Sequence, residues 1–323
     1  MHTLALQKPK ALNQGDTVAI ISSGFRILQD MDAQCALERL NALGLKTRLG
    51  QAVLQQYGYL AGTDEERAAD INQLFADPEV KAIIQLRGGF GSARLLELLD
   101  YKMIAQHPKI FMGMSDTTAL LLALHQQTGL VTFHGPNAGR PWPAYTQEFV
   151  KALLFEGKAL TYLNPEHKSD DLIATEDRIQ VITPGRAQGR LIGGNLTVLT
   201  SIIGSPYLPQ MKEAILFLEE INEPPYKIDR MFTQLKLAGI LTGLRGVIVG
   251  KFTHSQPNNP GASYGSLRVM EVLNDHLKPL QIPAWYGAMI SHETRMFTLP
   301  IGVTVEIDAT LGSIKLLESG VRT

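Results

Sequence analysis

The chain has 323 residues, with 30 lysines and arginines against 31 aspartates and glutamates, a net charge of -1, 45% hydrophobic residues and 19% charged ones. That apolar share and near-zero charge exclude a disordered chain, and the lack of a basic excess excludes an electrostatic nucleic-acid binder. At roughly 150 residues per domain, the length suits two domains with full cores.

In chain order, the first half alternates strands and helices. Thr17 to Ser22 (TVAIIS) reads as a buried strand, Ala33 to Leu45 as an amphipathic helix stopped near Gly44, and Asp64 to Phe75 as a helix with acidic residues in its first turn. A strand at Val80 to Leu86, a helix around Ala93 to Leu99 and a strand at Lys109 to Met112 follow. A helix at Thr117 to Gln127 and a strand at Leu130 to Phe133 complete the run. Such alternation predicts βαβ units, a mostly parallel sheet, and a ligand site beyond the carboxyl ends of its strands. Residues 164–178 are polar and acidic and read as an exposed linker, which predicts an N-terminal domain at 1–163 and a smaller one at 179–323.

The second half mixes strands (Ile179 to Ile182, Ala214 to Leu218, Gly246 to Val249) with helices (Leu196 to Ile203, Ile228 to Leu237, Leu267 to Leu277) and closes on a β-rich tail, Val303 to Leu317. The lone cysteine, Cys35, lies on the apolar stripe of a predicted helix and is expected to be a buried structural thiol. The longest apolar stretches, Ala119 to Leu124 and Ala214 to Leu218, fall far below the ~18 residues of a membrane span. The N-terminal apolar stretch ends at Gln7, short of a ~7–15-residue signal core, so a cytoplasmic location is expected.

Three stretches could carry chemistry. In KIFMGMSDT (Lys109 to Thr117) a strand runs through Gly113 into Ser115 and a helix, the context of a nucleophile elbow, although Thr117 stands where a G-x-S-x-G motif has its second glycine. The local alternative is that Ser115 or Asp116 caps the helix. Arg87-Gly88-Gly89-Phe90-Gly91-Ser92 joins a strand to a helix and lacks nucleotide-loop spacing. It shares the strand-end edge with Ser115, where a second oxyanion donor belongs. Glu219, Glu220 and Glu223 follow the strand AILFL, where a carboxylate can orient a histidine or meet solvent. His2, His107, His125, His167 and His276 lie in terminal, turn, helical or linker positions. His134, His254 and His292 stand in loops or at strand ends, and spacing leaves the base open among these three.

These motifs, with QGDTVAIISSG at Gln14 to Gly24, YGYLAGTDEERAADIN at Tyr57 to Asn72 and RGGFGSARLL at Arg87 to Leu96, are similar to those of the LD-carboxypeptidases. TFHGP at Thr132 to Pro136, GGNLTVL at Gly193 to Leu199, ILFLEEINEPPYKIDRM at Ile215 to Met231 and SHETRMFTLPIG at Ser291 to Gly302 extend the resemblance over nearly the whole chain. It implies a serine peptidase that removes the terminal D-alanine of murein tetrapeptide in cell-wall recycling. The implied fold is a mostly parallel α/β domain followed by a smaller mixed β/α domain, with the active site in the cleft between them.

The family triad, carried onto this sequence, makes Ser115 the nucleophile, Glu219 the orienting carboxylate and His292 the base. Backbone N–H groups of Asp116 and Gly89 form the implied oxyanion hole, no metal or organic cofactor is needed, and a homodimer acting on a small peptide is expected. Ser291 and Phe90 stand where the family often has Gly and Tyr, and Ser22-Ser23-Gly24 replaces a more usual Ala-Pro-Ser-Gly. Gly91 stands where the microcin-C-resistance branch commonly has Asn, which favours the murein branch. The alternatives are cleavage of a peptide-nucleotide amide by the same triad, or a non-catalytic α/β protein that binds a small ligand. Arg87, Arg230 and Arg295 lie near these motifs, but sequence does not assign the substrate carboxylates to any of them.

Overall fold

The computed structural model describes residues 4–165, 176–255 and 266–323. Its first half contains β1 (Thr17–Ile21), α1 (Asp30–Asn41), β2 (Lys46–Leu49), α2 (Asp64–Ala76), β3 (Val80–Gln85), α3 (Tyr101–Gln106), β4 (Ile110–Gly113), α4 (Thr118–Thr128), β5 (Thr132–His134), α5 (Ala144–Leu154) and β6 (Thr161–Tyr162). Then follow β7 (Gln180–Thr183), β8 (Arg186–Asn195), α6 (Leu196–Ser201), β9 (Ala214–Ile221), α7 (Pro225–Leu237), β10 (Gly246–Thr253), α8 (Val269–Leu277), β11 (Ala284–Ala288), β12 (Leu299–Ile301), β13 (Thr304–Asp308) and β14 (Ser313–Leu316).

Two sheets organise these elements. The six-stranded sheet runs β12-β5-β4-β3-β1-β2, parallel throughout except for β12. The eight-stranded sheet runs β6-β14-β13-β8-β9-β10-β11-β7, with a parallel centre, β8 to β11, flanked by antiparallel strands. Strands buried on both faces read as continuous apolar runs, as in Val18 to Ile21 and Ala214 to Leu218. The sheets trade edges: β12 comes from the second half of the chain into the first sheet, and β6 from the first half into the second. The termini lace the same way, since the Ala11 N–H donates to the Arg322 carbonyl and the Arg322 N–H to that of Pro9.

Helix α4 lies between the sheets. Ala119 to Leu124 are all fully buried, because the helix packs on β4, β5 and β12 on one side and β8 and α6 on the other. A helix apolar all round needs that double cover. Elsewhere local signals set the ends. Thr63 and Glu66 form a reciprocal capping box at the start of α2, and the buried Lys109 ammonium closes its end by donating to the carbonyls of Leu74 (2.9 Å) and Asp77.

Three expectations need correction. The helix expected at 93–99 is a 3-10 turn, Ser92–Leu98, entered through Gly91 at φ 110. Ser92 is tied there by its N–H and hydroxyl to the Asp116 carboxylate, so the segment follows the loop beneath it rather than its own propensity. Cys35 is only half-buried. The 164–178 linker is exposed at Glu176 and Arg178, as expected, but not throughout: Asn164 Nδ2 donates to the carbonyls of Asp177 and Gly287, and Asp177 is buried beside Lys251 and Arg295. Residues 166–175, including His167, lie outside the described residues, as does His2. Among the described residues no helix is long and apolar enough to cross a membrane.

Candidate active site

Strand β4 ends at Gly113, and the chain turns through Met114 and Ser115 into α4. Ser115 has φ 64, a left-handed conformation that a residue with a Cβ adopts at a cost, and one associated with functional turns. It is also the one residue between Lys109 and His125 that is not buried. The turn is held from outside: Asn137 Oδ1 accepts the Met114 N–H at 3.1 Å. Gly88 lies directly against the serine, since a Cβ at that position would sit 2.8 Å from Ser115 Cβ and Oγ. Gly89 faces the Phe25 side chain instead, so the two glycines of the loop make room for different neighbours.

Glu219 ends the buried part of β9 and His292 lies in the loop before β12. The Glu219 carboxylate and the imidazole meet with Nδ1 and Oε2 2.7 Å apart, the carboxylate side chain fully buried and the imidazole nearly so. Glu219 Oε1 accepts from none of the described residues, which leaves the imidazole as the carboxylate's principal partner. Glu220, next in the chain, is occupied otherwise. It accepts from Asn195 Nδ2, the Thr197 N–H and hydroxyl, and the Ile221 N–H, so it anchors the start of α6. Glu223 pairs with Lys227 on α7.

Ser115 and the Glu219–His292 pair lie on different sheets, and three contacts bring those sheets together. Asn195, paired with Glu219 across β8 and β9, donates its N–H to the Thr118 hydroxyl at 3.0 Å, three residues beyond Ser115. His134, paired with Gly113 on β4, meets the Ile290 carbonyl through Nε2 at 2.7 Å. Arg140 Nη2 donates to the His292 carbonyl at 2.9 Å, three residues after Asn137 has bonded the elbow.

The three open histidines are thereby separated. His134 is fully buried, and burial, opposed by Glu219 and the bond to Ile290, pulls its pKa down, so it stays neutral as a packing and hydrogen-bonding group. His254 is exposed, at φ 55. His292 alone meets a buried carboxylate at the strand-end edge. Sequence reasoning missed Asn137 and Arg140, which follow TFHGP directly; the signal available was their place at the carboxyl end of a parallel strand.

Burial holds the Asp116 carboxyl above its ordinary range, with the Ser92 hydrogen bonds opposing it. Its side chain is therefore a structural anchor for the glycine loop, and only its backbone N–H is available to a ligand at Ser115. A cavity of about 750 Å³ adjoins the His292 loop, lined among others by Lys251, Tyr286, Glu293 and Arg295.

The fold and this arrangement are those of a serine peptidase of the two-sheet α/β class. The chain belongs to the LD-carboxypeptidase family: the family's N-terminal domain matches residues 18–135 and its C-terminal domain residues 188–307. It is 39% identical over 320 residues to the probable murein peptide carboxypeptidase of Bacillus subtilis, covering 97% of this chain and 95% of that one. The solved structure of the microcin C7 self-immunity protein MccF, known from Escherichia coli, superimposes with a TM-score of 0.88 at 32% identity, covering 98% of this chain and 100% of the other. A muramoyltetrapeptide carboxypeptidase from Oxalobacter formigenes gives 0.78 at 30% identity over 93% and 97%.

Proposed function

We propose that this chain is an LD-carboxypeptidase that releases the terminal D-alanine from murein tetrapeptide, acting in the cytoplasm during cell-wall recycling and working as a homodimer. The observation that carries this reading is the buried Glu219 carboxylate on the His292 imidazole, on a sheet that hydrogen bonds from Asn195 and His134 join to the one ending in the elbow serine. The names of the Bacillus and Oxalobacter relatives support the substrate.

Because Glu219 takes His292 Nδ1, Nε2 is the nitrogen left to receive the Ser115 proton. Oγ then attacks the carbonyl of the diaminopimelyl–D-alanine bond, forming a C–O bond while the C=O pair moves onto oxygen. Backbone N–H groups of Asp116 and Gly89 are proposed as the donors to that oxyanion. Collapse breaks the C–N bond, and the imidazolium returns its proton to the departing D-alanine amine. A water, deprotonated by the same imidazole, then hydrolyses the acyl-serine.

Purified protein should release D-alanine from L-Ala-D-Glu-meso-diaminopimelyl-D-Ala, and Ser115→Ala should abolish release while the protein stays folded; full activity in that variant would sink the assignment. The close superposition on MccF favours one second reading, cleavage of a peptide-nucleotide amide by the same triad. Side-by-side turnover of the tetrapeptide and an aminoacyl-sulfamoyl nucleotide separates the two. Labelling of Ser115 by a serine-directed phosphonate separates both from a non-catalytic binding protein.

A further inference from the structure

The lining of a second cavity, of about 370 Å³, includes Leu28, Asp32, Leu86, Arg87 and Arg140. Both arginines are tied to the catalytic groups. Arg87 precedes Gly88, the residue that lies against Ser115, and Arg140 donates to the backbone carbonyl of His292. The Arg87 guanidinium is preorganised: its Cζ stands 4.8 Å over the Phe25 ring and Nη1 donates to the Arg26 carbonyl at 3.3 Å.

Neither guanidinium makes an ion pair with a carboxylate of the described residues. The larger cavity is different, because its cations Lys251 and Arg295 both contact Asp177, at 3.0 and 2.7 Å. Asp32 is the one carboxylate in the lining of the smaller cavity, and Arg140 is also drawn by the Glu219 and Glu293 carboxylates outside it, which leaves the Arg87 guanidinium as the cation there available to an anion.

We propose that this cavity is the subsite for the free α-carboxylate of the departing amino acid, with Arg87 as its principal donor and Arg140 linking that subsite to His292. The proposal rests on the carboxypeptidase reading and deepens it. An exopeptidase must tell a chain end from an interior residue, and the end differs by a carboxylate. Guanidinium groups match that carboxylate with two parallel N–H donors, whereas an amide or a continuing peptide leaves them without an anion. Placing the subsite between the neighbour of the nucleophile and the carbonyl of the base puts the scissile bond where both can reach it.

The test compares kcat/KM for L-Ala-D-Glu-meso-diaminopimelyl-D-Ala with that for the same peptide ending in D-alaninamide, in wild type, Arg87→Gln and Arg87→Lys, each checked for phosphonate labelling at Ser115. Wild type should strongly prefer the free acid. Arg87→Gln should narrow that preference by about 30-fold, the size carried by a charge-assisted hydrogen bond, and Arg87→Lys should recover part of it. Arg140→Gln, which also frees the His292 carbonyl, should lower kcat on both substrates. A wild type that cleaves acid and amide equally, or an Arg87→Gln protein that labels normally and keeps the full preference, overturns the subsite and leaves the carboxypeptidase reading standing. A wild type that labels but cleaves neither peptide overturns that reading and the subsite with it.

Discussion

At the scale of single residues, the site depends on where charge is buried. The Glu219 carboxylate side chain is fully buried with its Oε2 on the imidazole, and it also acts on the Arg140 guanidinium and the His134 ring. Glu219→Gln keeps the shape and removes the charge that would stabilise the imidazolium. It should cost about 10³- to 10⁴-fold in kcat with little change in KM; a loss below about tenfold in steady-state assays would remove Glu219 from the proposed triad.

Asp116 makes the opposite use of burial. In the unfolded chain its carboxyl ionises near ~3.9, and burial raises that value in the fold. Between the two values the folded state binds the extra proton, so this group makes stability fall as pH rises through that window. Asp116→Asn removes the dependence while leaving an oxygen to accept from Ser92. The variant's stability relative to wild type, followed by urea unfolding from pH 4 to 7, should therefore improve with pH. A relative stability that worsens over that range would mean the carboxylate is stabilised in place.

The candidate site was partly legible in the sequence. A serine between a strand and a helix marks an elbow by local chemistry alone, and the φ of 64 at Ser115 agrees with that reading. Its partners are far away in the chain, and by spacing alone three histidines fitted equally well; the family resemblance singled out His292, the one of the three that meets the buried Glu219 carboxylate. His134 shows why: its strand-end position looks catalytic, and only the packing of Phe217 against its ring and the bond to Ile290 make it structural.

At the scale of elements, strands that are apolar on both faces were readable, and those with polar or glycine-rich sequences were not. Strand β8, RAQGRLIGGN, mixes charge and glycine because its first half is partly exposed and its second half packs against β9 and α4. Gly193 and Gly194 make that approach possible. A Cβ at Gly193 would fall 1.8 Å from the Phe217 carbonyl oxygen, and one at Gly194 2.5 Å from the Thr118 side chain. Gly193→Ala must therefore push β8 off β9 at the pair Gly193–Phe217, two residues before the pair Asn195–Glu219. It should destabilise the protein by about 1–3 kcal/mol and lower kcat as well, since the same shift moves Glu219. A variant of unchanged melting temperature and activity would show that the strands part without effect. Lys109, read only as the start of a strand, instead ties β4 to the end of α2. Lys109→Met should lose about 1–2 kcal/mol in urea unfolding by leaving two carbonyls without their donor.

At the scale of the whole molecule, two domains with a boundary near 164–178 are a natural reading of the composition, yet the strands cross any such boundary. Strand β12, from the second half, covers the edge of β5 beside His134, and β6, from the first half, closes the edge of β14. Helix α4 has its apolar circumference completed only by β8 and α6. A chain ending at residue 163 would therefore expose the far side of Ala119 to Leu124, leave the β5 edge unpaired and give β6 nothing to join. Exposed apolar surface and an open edge favour association over folding. The full chain should melt in one calorimetric transition, with the van't Hoff enthalpy equal to the calorimetric one. The 1–163 chain should be insoluble or lack a cooperative transition. A soluble 1–163 chain that unfolds cooperatively near the full-length temperature would show that the strand exchange contributes nothing to folding. It would also imply that the contacts joining Ser115 to His292 form between two independently stable bodies.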